Sequence, residues 1–263
     1  MIFQPATLAR GWRSVALAGS KDAARPILTG IYVEQYATGF RLVATDSYML
    51  LHAFVPTLEA ERDFEPEPSI DEAPLASCVV ADPDGRGLGL LAYAQKLATK
   101  NAPELDEISV DLGVIAQEDE DAPAFAGMEA RWCVITISER ERVKLRLIEG
   151  EYPNWRGLLL GLDAEETKQV GLHLDRLATL AKLKKTAGES VLGWSFQGEN
   201  KPARVELVNS FPHIAGLVMP CKWNVYDNEP VPEKAKDDDE IDGEEVIDER
   251  PDLRVVPSEG GDA

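Results

Sequence analysis

Hydrophobic and polar positions follow one plan three times along the chain. A short strand-like run comes first. A stretch with helical spacing follows, and then three alternating or continuously apolar runs of strand length. In the first pass MIFQP opens, and ATLARGWRSVALAGS places Leu8, Trp12 and Val15 on one helical face. ILTGIYVEQY, FRLVATD and MLLHAFV complete it, with Ala37-Thr38-Gly39 as a turn. The second pass runs through SCVVADPDG and the helical RGLGLLAYAQKLATKN, with Leu90, Leu91, Ala94 and Leu97 on one side. ISVDLGVIA, ARWCVITI and RVKLRLIEG follow. The third has KQVGLHL, a helix DRLATLAKLKKTAG ended by Gly188, and the strands SVLGWSFQ, ARVELVN and IAGLVMP.

The spacing predicts helices over about 6–21, 86–100 and 173–186. Between the first two units, TLEAERDFEPEPSIDEAP reads as an acidic, proline-bearing loop, and QEDEDAPAFAG reads as a charged loop inside the second. Repetition on this scale defines the architecture before any single motif does. The class is α+β, with antiparallel sheets and helices packed on one face.

Composition adds boundaries. A chain of 263 residues forms one large or two small domains, and 44% hydrophobic residues suits a packed core. Cys78, Cys133 and Cys221 are too few for a disulfide scaffold, and each adjoins an apolar run. They read as buried free thiols in a reducing compartment. The N-terminus lacks the apolar core of a signal peptide, and no run reaches the length of a membrane span. A soluble, cytoplasmic protein without membrane contact is expected.

The net charge of −20 argues at first against nucleic acid, but it is unevenly spread. Residues 224–263 carry 15 acids and 4 bases. This segment has little to bury and reads as a disordered acidic tail. The three predicted helices carry ten bases, Arg10, Arg13, Lys21, Arg86, Lys96, Lys100, Arg176, Lys182, Lys184 and Lys185, against one acid, Asp175. Exposed lysine and arginine suit helices in any case. That preference explains the bases and leaves the near absence of acids unexplained. A helical surface facing nucleic acid explains both.

Candidate chemistry is sparse. His52, His173 and His213 are scattered without metal-ligand spacing. DPDGRG resembles part of a calcium loop but lacks the closing glutamate, so it reads as a turn. The acids at 118–121 read as a solvated loop. No catalytic residue, metal ligand or cofactor is assigned, and an enzyme is the least favoured class.

RPILTGIYVE and FRLVATDSYML resemble the middle domain of the bacterial DNA polymerase III beta subunit, the sliding clamp. EGEYPNWRGLL is similar to the run closing that domain, and KPARVELVNSFPHIAGLVMPCKW to the clamp's last strands. The three matches fall in family order. The resemblance implies the DNA-clamp fold, with repeated strand-helix-three-strand half-motifs, outer antiparallel sheets and inner helices. It implies a clamp domain over 1–160, a partial or second one over 161–223, and the tail over 224–263.

It also implies a processivity factor, a homo-oligomeric ring encircling double-stranded DNA without reading its sequence. Such a ring tethers a replicative DNA polymerase and meets its clamp loader through a short peptide motif. By motif match, the peptide pocket would comprise Leu28, Thr45, Tyr48, Leu50, Leu160, Leu217, Val218, Met219, Pro220 and Cys221, types that suit an apolar groove. Three departures stand out. Met49 and Lys222 replace family arginines, and Leu160 replaces a proline. The chain shows three half-motifs where familiar clamp subunits have four or six. A compact viral or mobile-element clamp would fit that size. The alternative is a clamp-like protein that never encircles DNA and instead regulates or decoys a replication clamp.

Overall fold

Proline opens the first helix, because its fixed φ suits the first helical position and the amide it lacks would have no partner there. In the computed structural model, residues 1–82, 85–99, 108–114, 131–138, 141–160, 167, 170–198 and 200–221 are described. All belong to one compact unit, Met1–Trp223. The acidic segment 224–263, Lys100 and the loop 117–127 lie outside the described residues.

The first half-motif is β1 (Ile2–Phe3), α1 (Pro5–Val15), β2 (Ile31–Gln35), β3 (Gly39–Thr45) and β4 (Met49–Pro56). The predicted first helix stops early, at Val15, and Ala16–Ala18 form a single 3-10 turn. A short helix α2 (Leu58–Arg62) stands where a loop was expected. Thr57 caps it, its Oγ1 accepting the Ala60 N–H at 3.2 Å, and Leu-Glu-Ala-Glu-Arg are good helix formers.

The second half-motif is β5 (Ala76–Val80), α3 (Arg86–Thr99), β6 (Ile108–Val114), β7 (Arg131–Ser138) and β8 (Glu141–Ile148). Asp82 caps α3, accepting the Gly87 and Leu88 N–H groups at 3.0 and 2.8 Å. After α4 (Trp155–Leu159) comes the third unit, α5 (Leu174–Ala181), α6 (Leu183–Ala187), β9 (Leu192–Ser195), β10 (Ala203–Leu207) and β11 (Ile214–Val218). Gly188, at φ 84°, ends α6 as expected. The strand expected at KQVGLHL is reduced, among the described residues, to one bridge between Gly171 and Cys221.

The strands join in the order β1-β6-β7-β8-β5-β2-β3-β4-β11-β10-β9, antiparallel throughout. The first two half-motifs exchange strands. β1 pairs with β6, and β5 pairs with β2. The third unit joins through β11, which lies along β4 with Leu217 opposite Leu50. Gly216 permits this approach, since a Cβ there would strike the carbonyl oxygen of Leu50.

Alternation sorts the side chains into two layers. Phe40, Leu42, Met49, Leu51 and Ile214 face the helices and form the main core with Leu8, Trp12 and Val15. Val43, Leu50 and Leu217 face the other way and form a second cluster with Leu28, Tyr152 and Trp155. β3 and β4 are therefore buried on both faces, which accounts for their near-continuous apolar sequence. Among the described residues no helix is long and apolar enough to cross a membrane.

Candidate functional site

α1 lies between α3 and α6 on one face of the sheet. Ser14 Oγ donates to Thr186 Oγ1 at 2.8 Å, tying α1 to α6. Helix packing buries the apolar sides and leaves bases outward. Lys21, Arg86, Lys96, Lys182, Lys184 and Lys185 are exposed, and Arg10 and Arg13 are half-buried. Arg10 is anchored, its Nη1 donating to the carbonyl of Phe211 in the β10–β11 loop. Asp175 is the only acid on α1, α3, α5 and α6.

Arg176 is placed differently from the other bases. Its Nη1 pairs with Asp46 of the β3–β4 turn, and its guanidinium lies over the Tyr48 ring, 5.2 Å from the centroid. It joins α5 to the turn that carries VATD.

That turn is tightly made. Asp46 Oδ1 accepts the N–H groups of Tyr48 and Met49 at 2.9 and 2.8 Å. Thr45 Oγ1 donates to the Met49 carbonyl at 2.8 Å and accepts the Ser47 N–H at 3.1 Å. Ser47 sits at φ 79°, and Arg25 Nη1 donates to its hydroxyl at 2.8 Å. The Met219 N–H donates to the Tyr48 carbonyl at 2.8 Å, so the turn and the end of β11 meet.

Thr45 is buried in the turn, and the other expected pocket residues divide into three groups. Leu28, Leu50 and Leu217 come together beneath the surface in the second cluster. Tyr48, Leu160 and Met219 are exposed at 58%, 53% and 40%, Cys221 is exposed and Pro220 half-buried. Val218 turns to the helix-side core, because adjacent strand residues cannot face the same side. Of the three cysteines, only Cys133 is buried. Cys78 is half-buried and Cys221 exposed, because β11 ends before it.

Beneath the outer layer lies a polar network with no forewarning in the sequence. Glu34 is wholly buried. Arg156 grips its carboxylate with Nη1 to Oε1 and Nη2 to Oε2, both at 2.6 Å, and Trp155 Nε1 donates to Oε1 at 3.1 Å. Arg156 Nε donates to the Ile70 carbonyl at 2.7 Å. Arg41, also fully buried, donates to the carbonyls of Pro68 and Ser69 and pairs with Glu67 at 3.2 Å. Burial and then the Glu34 charge push the Tyr36 hydroxyl up from its ordinary value. It stays protonated, donating towards Glu34 Oε2 at 3.2 Å and accepting from Arg156 at 2.7 Å. The acidic connector is thus held onto the sheet by two arginines. His52, buried beside Trp155, is held neutral. Burial, and then the charge of Arg41, push its pKa down to about 3. Among the described residues no three His, Cys, Asp or Glu side chains gather as a metal site.

No protein-family model matches the chain, and no curated protein matches it. Solved structures do. The DNA polymerase beta subunit of Streptococcus pyogenes aligns over 85% of this chain and 66% of its own, at TM-score 0.56 and 14% identity. A DNA polymerase sliding clamp from Pseudomonas aeruginosa, solved with ligand, aligns with the same coverages at TM-score 0.57 and 14% identity. The DNA polymerase III beta subunit of Thermotoga maritima aligns over 85% of this chain and 65% of its own, at TM-score 0.54 and 13% identity. The chain thus spans just under two thirds of the length of these clamps. Half-motifs of one helix on one antiparallel sheet, strands exchanged between the first two, and alignment over most of the chain agree: the fold is that of the DNA polymerase III beta-subunit sliding clamps.

Proposed function

We propose that this protein is a processivity clamp that surrounds duplex DNA as a homo-oligomer and tethers a replicative polymerase. The observation that carries the reading is the charge of the helical layer: α1, α3, α5, α6 and the Lys182 cap between the last two carry eight bases against one acid, in a body otherwise rich in acids. A sliding ring needs weak, sequence-blind attraction to phosphates, which lysine and arginine on an inner helical surface supply. No reading helix is required. The polymerase and clamp loader dock through a short apolar peptide beside Tyr48, Leu160 and Met219, with Leu28, Leu50 and Leu217 as the underlying floor. Exposed apolar side chains over a buried apolar layer suit such an occupant.

A second reading is a clamp-like protein that regulates or decoys a replication clamp without encircling DNA, and the net charge of −20 favours it. Topology separates the two. Light scattering gives the subunit number, and gel filtration follows protein loaded onto nicked circular DNA before and after linearisation. A ring stays on the circle and slides off the cut ends. Retention on linear DNA, or a monomer that never associates with the circle, sinks the ring.

A further inference from the structure

Arg176 stands where the two proposed surfaces meet. It lies in the first turn of α5, the helix that leads into Lys182, Lys184 and Lys185. Its guanidinium carries five N–H donors in a planar fork, a shape that matches phosphate as well as carboxylate. In this structure it is engaged with Asp46 through Nη1 and covers one face of Tyr48. The pair is reached by solvent, Arg176 being 27% and Asp46 17% exposed, and a solvent-screened pair of this kind contributes little to stability. Asp46 does not depend on it. Its other oxygen already holds the Tyr48 and Met49 N–H groups, so the turn persists without the arginine. The Tyr48 ring, 58% exposed, loses its cationic neighbour when the arginine leaves.

We propose that Arg176 couples the helical face to the peptide pocket. A duplex phosphate competes with Asp46 for the guanidinium, and the released Tyr48 ring turns onto a peptide lying beside Met219. DNA then tightens peptide binding, and by linkage the peptide tightens DNA binding equally. The inference rests on the clamp reading above.

The test reads the rim in two ways. Cys221 is exposed and its N–H donates to the Gly171 carbonyl, five residues before Arg176. It takes an environment-sensitive thiol dye, with Cys133 buried and Cys78 half-buried. A short random-sequence duplex is added to saturation at low salt, with and without a fluorescein-labelled peptide rich in leucine and phenylalanine. In the unsubstituted protein the duplex shifts the dye emission and tightens the peptide roughly five-fold, the lower end of ordinary coupling. In Arg176→Ala, checked by circular dichroism, the peptide binds at the tighter level with or without duplex, and the dye does not respond. A dye response that persists in Arg176→Ala, or none in the unsubstituted protein, overturns the coupling. Peptide and duplex that both bind without influencing each other overturn it and leave the clamp reading standing. A peptide that never binds removes the pocket reading and overturns the coupling with it. A duplex that does not bind sinks both.

Discussion

The guanidinium of Arg156 lies against the carboxylate of Glu34 in a two-pronged pair, both contacts at 2.6 Å, across 122 positions of sequence. Glu34 is in β2, and Arg156 in the short helix that closes the second half-motif. Removing one partner leaves the other charge stranded in a buried site, which typically costs about 3–5 kcal/mol. Arg156→Met should lower the urea midpoint accordingly, and Arg156→Lys should also destabilise, since an ammonium cannot reproduce the fork. Unaltered midpoints in both variants would mean that the pair carries no stability.

His52 sets a pH dependence. Its folded pKa is pushed down to about 3 from an ordinary 6.5, so the unfolded chain takes up a proton that the folded chain refuses. Stability from the neutral imidazole is complete above about pH 6.5 and is lost progressively as the pH falls towards 3. By pH 5 the loss relative to high pH should reach about 2 kcal/mol. His52→Gln should flatten that stretch of the curve of urea midpoint against pH. A slope identical to that of the unsubstituted protein would assign the acid sensitivity elsewhere.

The exposed bases of the helical layer should act through phosphates alone. Replacing Lys96, Lys182, Lys184 and Lys185 with glutamate should abolish duplex binding and leave the circular dichroism spectrum intact. Single neutral substitutions should each reduce the slope of log affinity against log salt by roughly 0.9 if the side chain meets one phosphate. A quadruple variant that still binds in a salt-dependent manner would move the DNA surface off these helices.

The pocket separates into positions that report binding and positions that report folding. Met219→Asp, at a 40% exposed site, should abolish capture of an apolar peptide while the protein stays folded. Leu28→Asp, at a 5% exposed site, should instead unfold the second cluster, because an unpaired buried charge is costly. Peptide capture by Met219→Asp at full affinity would exclude this rim as the docking place.

Gly216→Val tests the seam between β4 and β11. Its side chain would drive into the Leu50 carbonyl and the Leu51 side chain. Hydrogen exchange should quicken across β9–β11 more than across β6–β8. Uniform protection would show that the seam yields without opening.

The three-fold plan of strands and helices was legible because side-chain period reports directly on local structure. Leu8, Trp12 and Val15 are fully buried as their spacing requires, and Gly188 ends its helix in the left-handed conformation. What could not be read was pairing at a distance. Nothing near Glu34 announces Arg156, and nothing in an acid-rich connector announces that its carbonyls at Pro68, Ser69 and Ile70 are bound by arginines from the sheet and α4. Arg176 counted as one more helical base because charge is visible in sequence and direction is not. Motif match puts Val218 beside Leu217 in the pocket, although a strand turns the two to opposite layers. The short helix at 58–62 was readable, since Thr57 followed by Leu-Glu-Ala-Glu is a capping signal. Reading the whole connector by its prolines and acids hides it.

The exchange of first strands between the first two half-motifs bears on the order in which the chain can assemble. Phe3 is synthesised long before its partner, Ile108. β2 likewise waits for β5, whose register begins with Ile31 against Val80. Neither half-motif has its full set of strand partners until both have been synthesised, so a nascent chain that reaches only residue 60 holds a helix and a three-stranded meander with open edges. Distant pairings of this kind slow folding and leave strand edges available to neighbouring chains meanwhile. Production of this protein should therefore be more sensitive to synthesis rate and chaperone supply than its finished, two-sided packing would suggest.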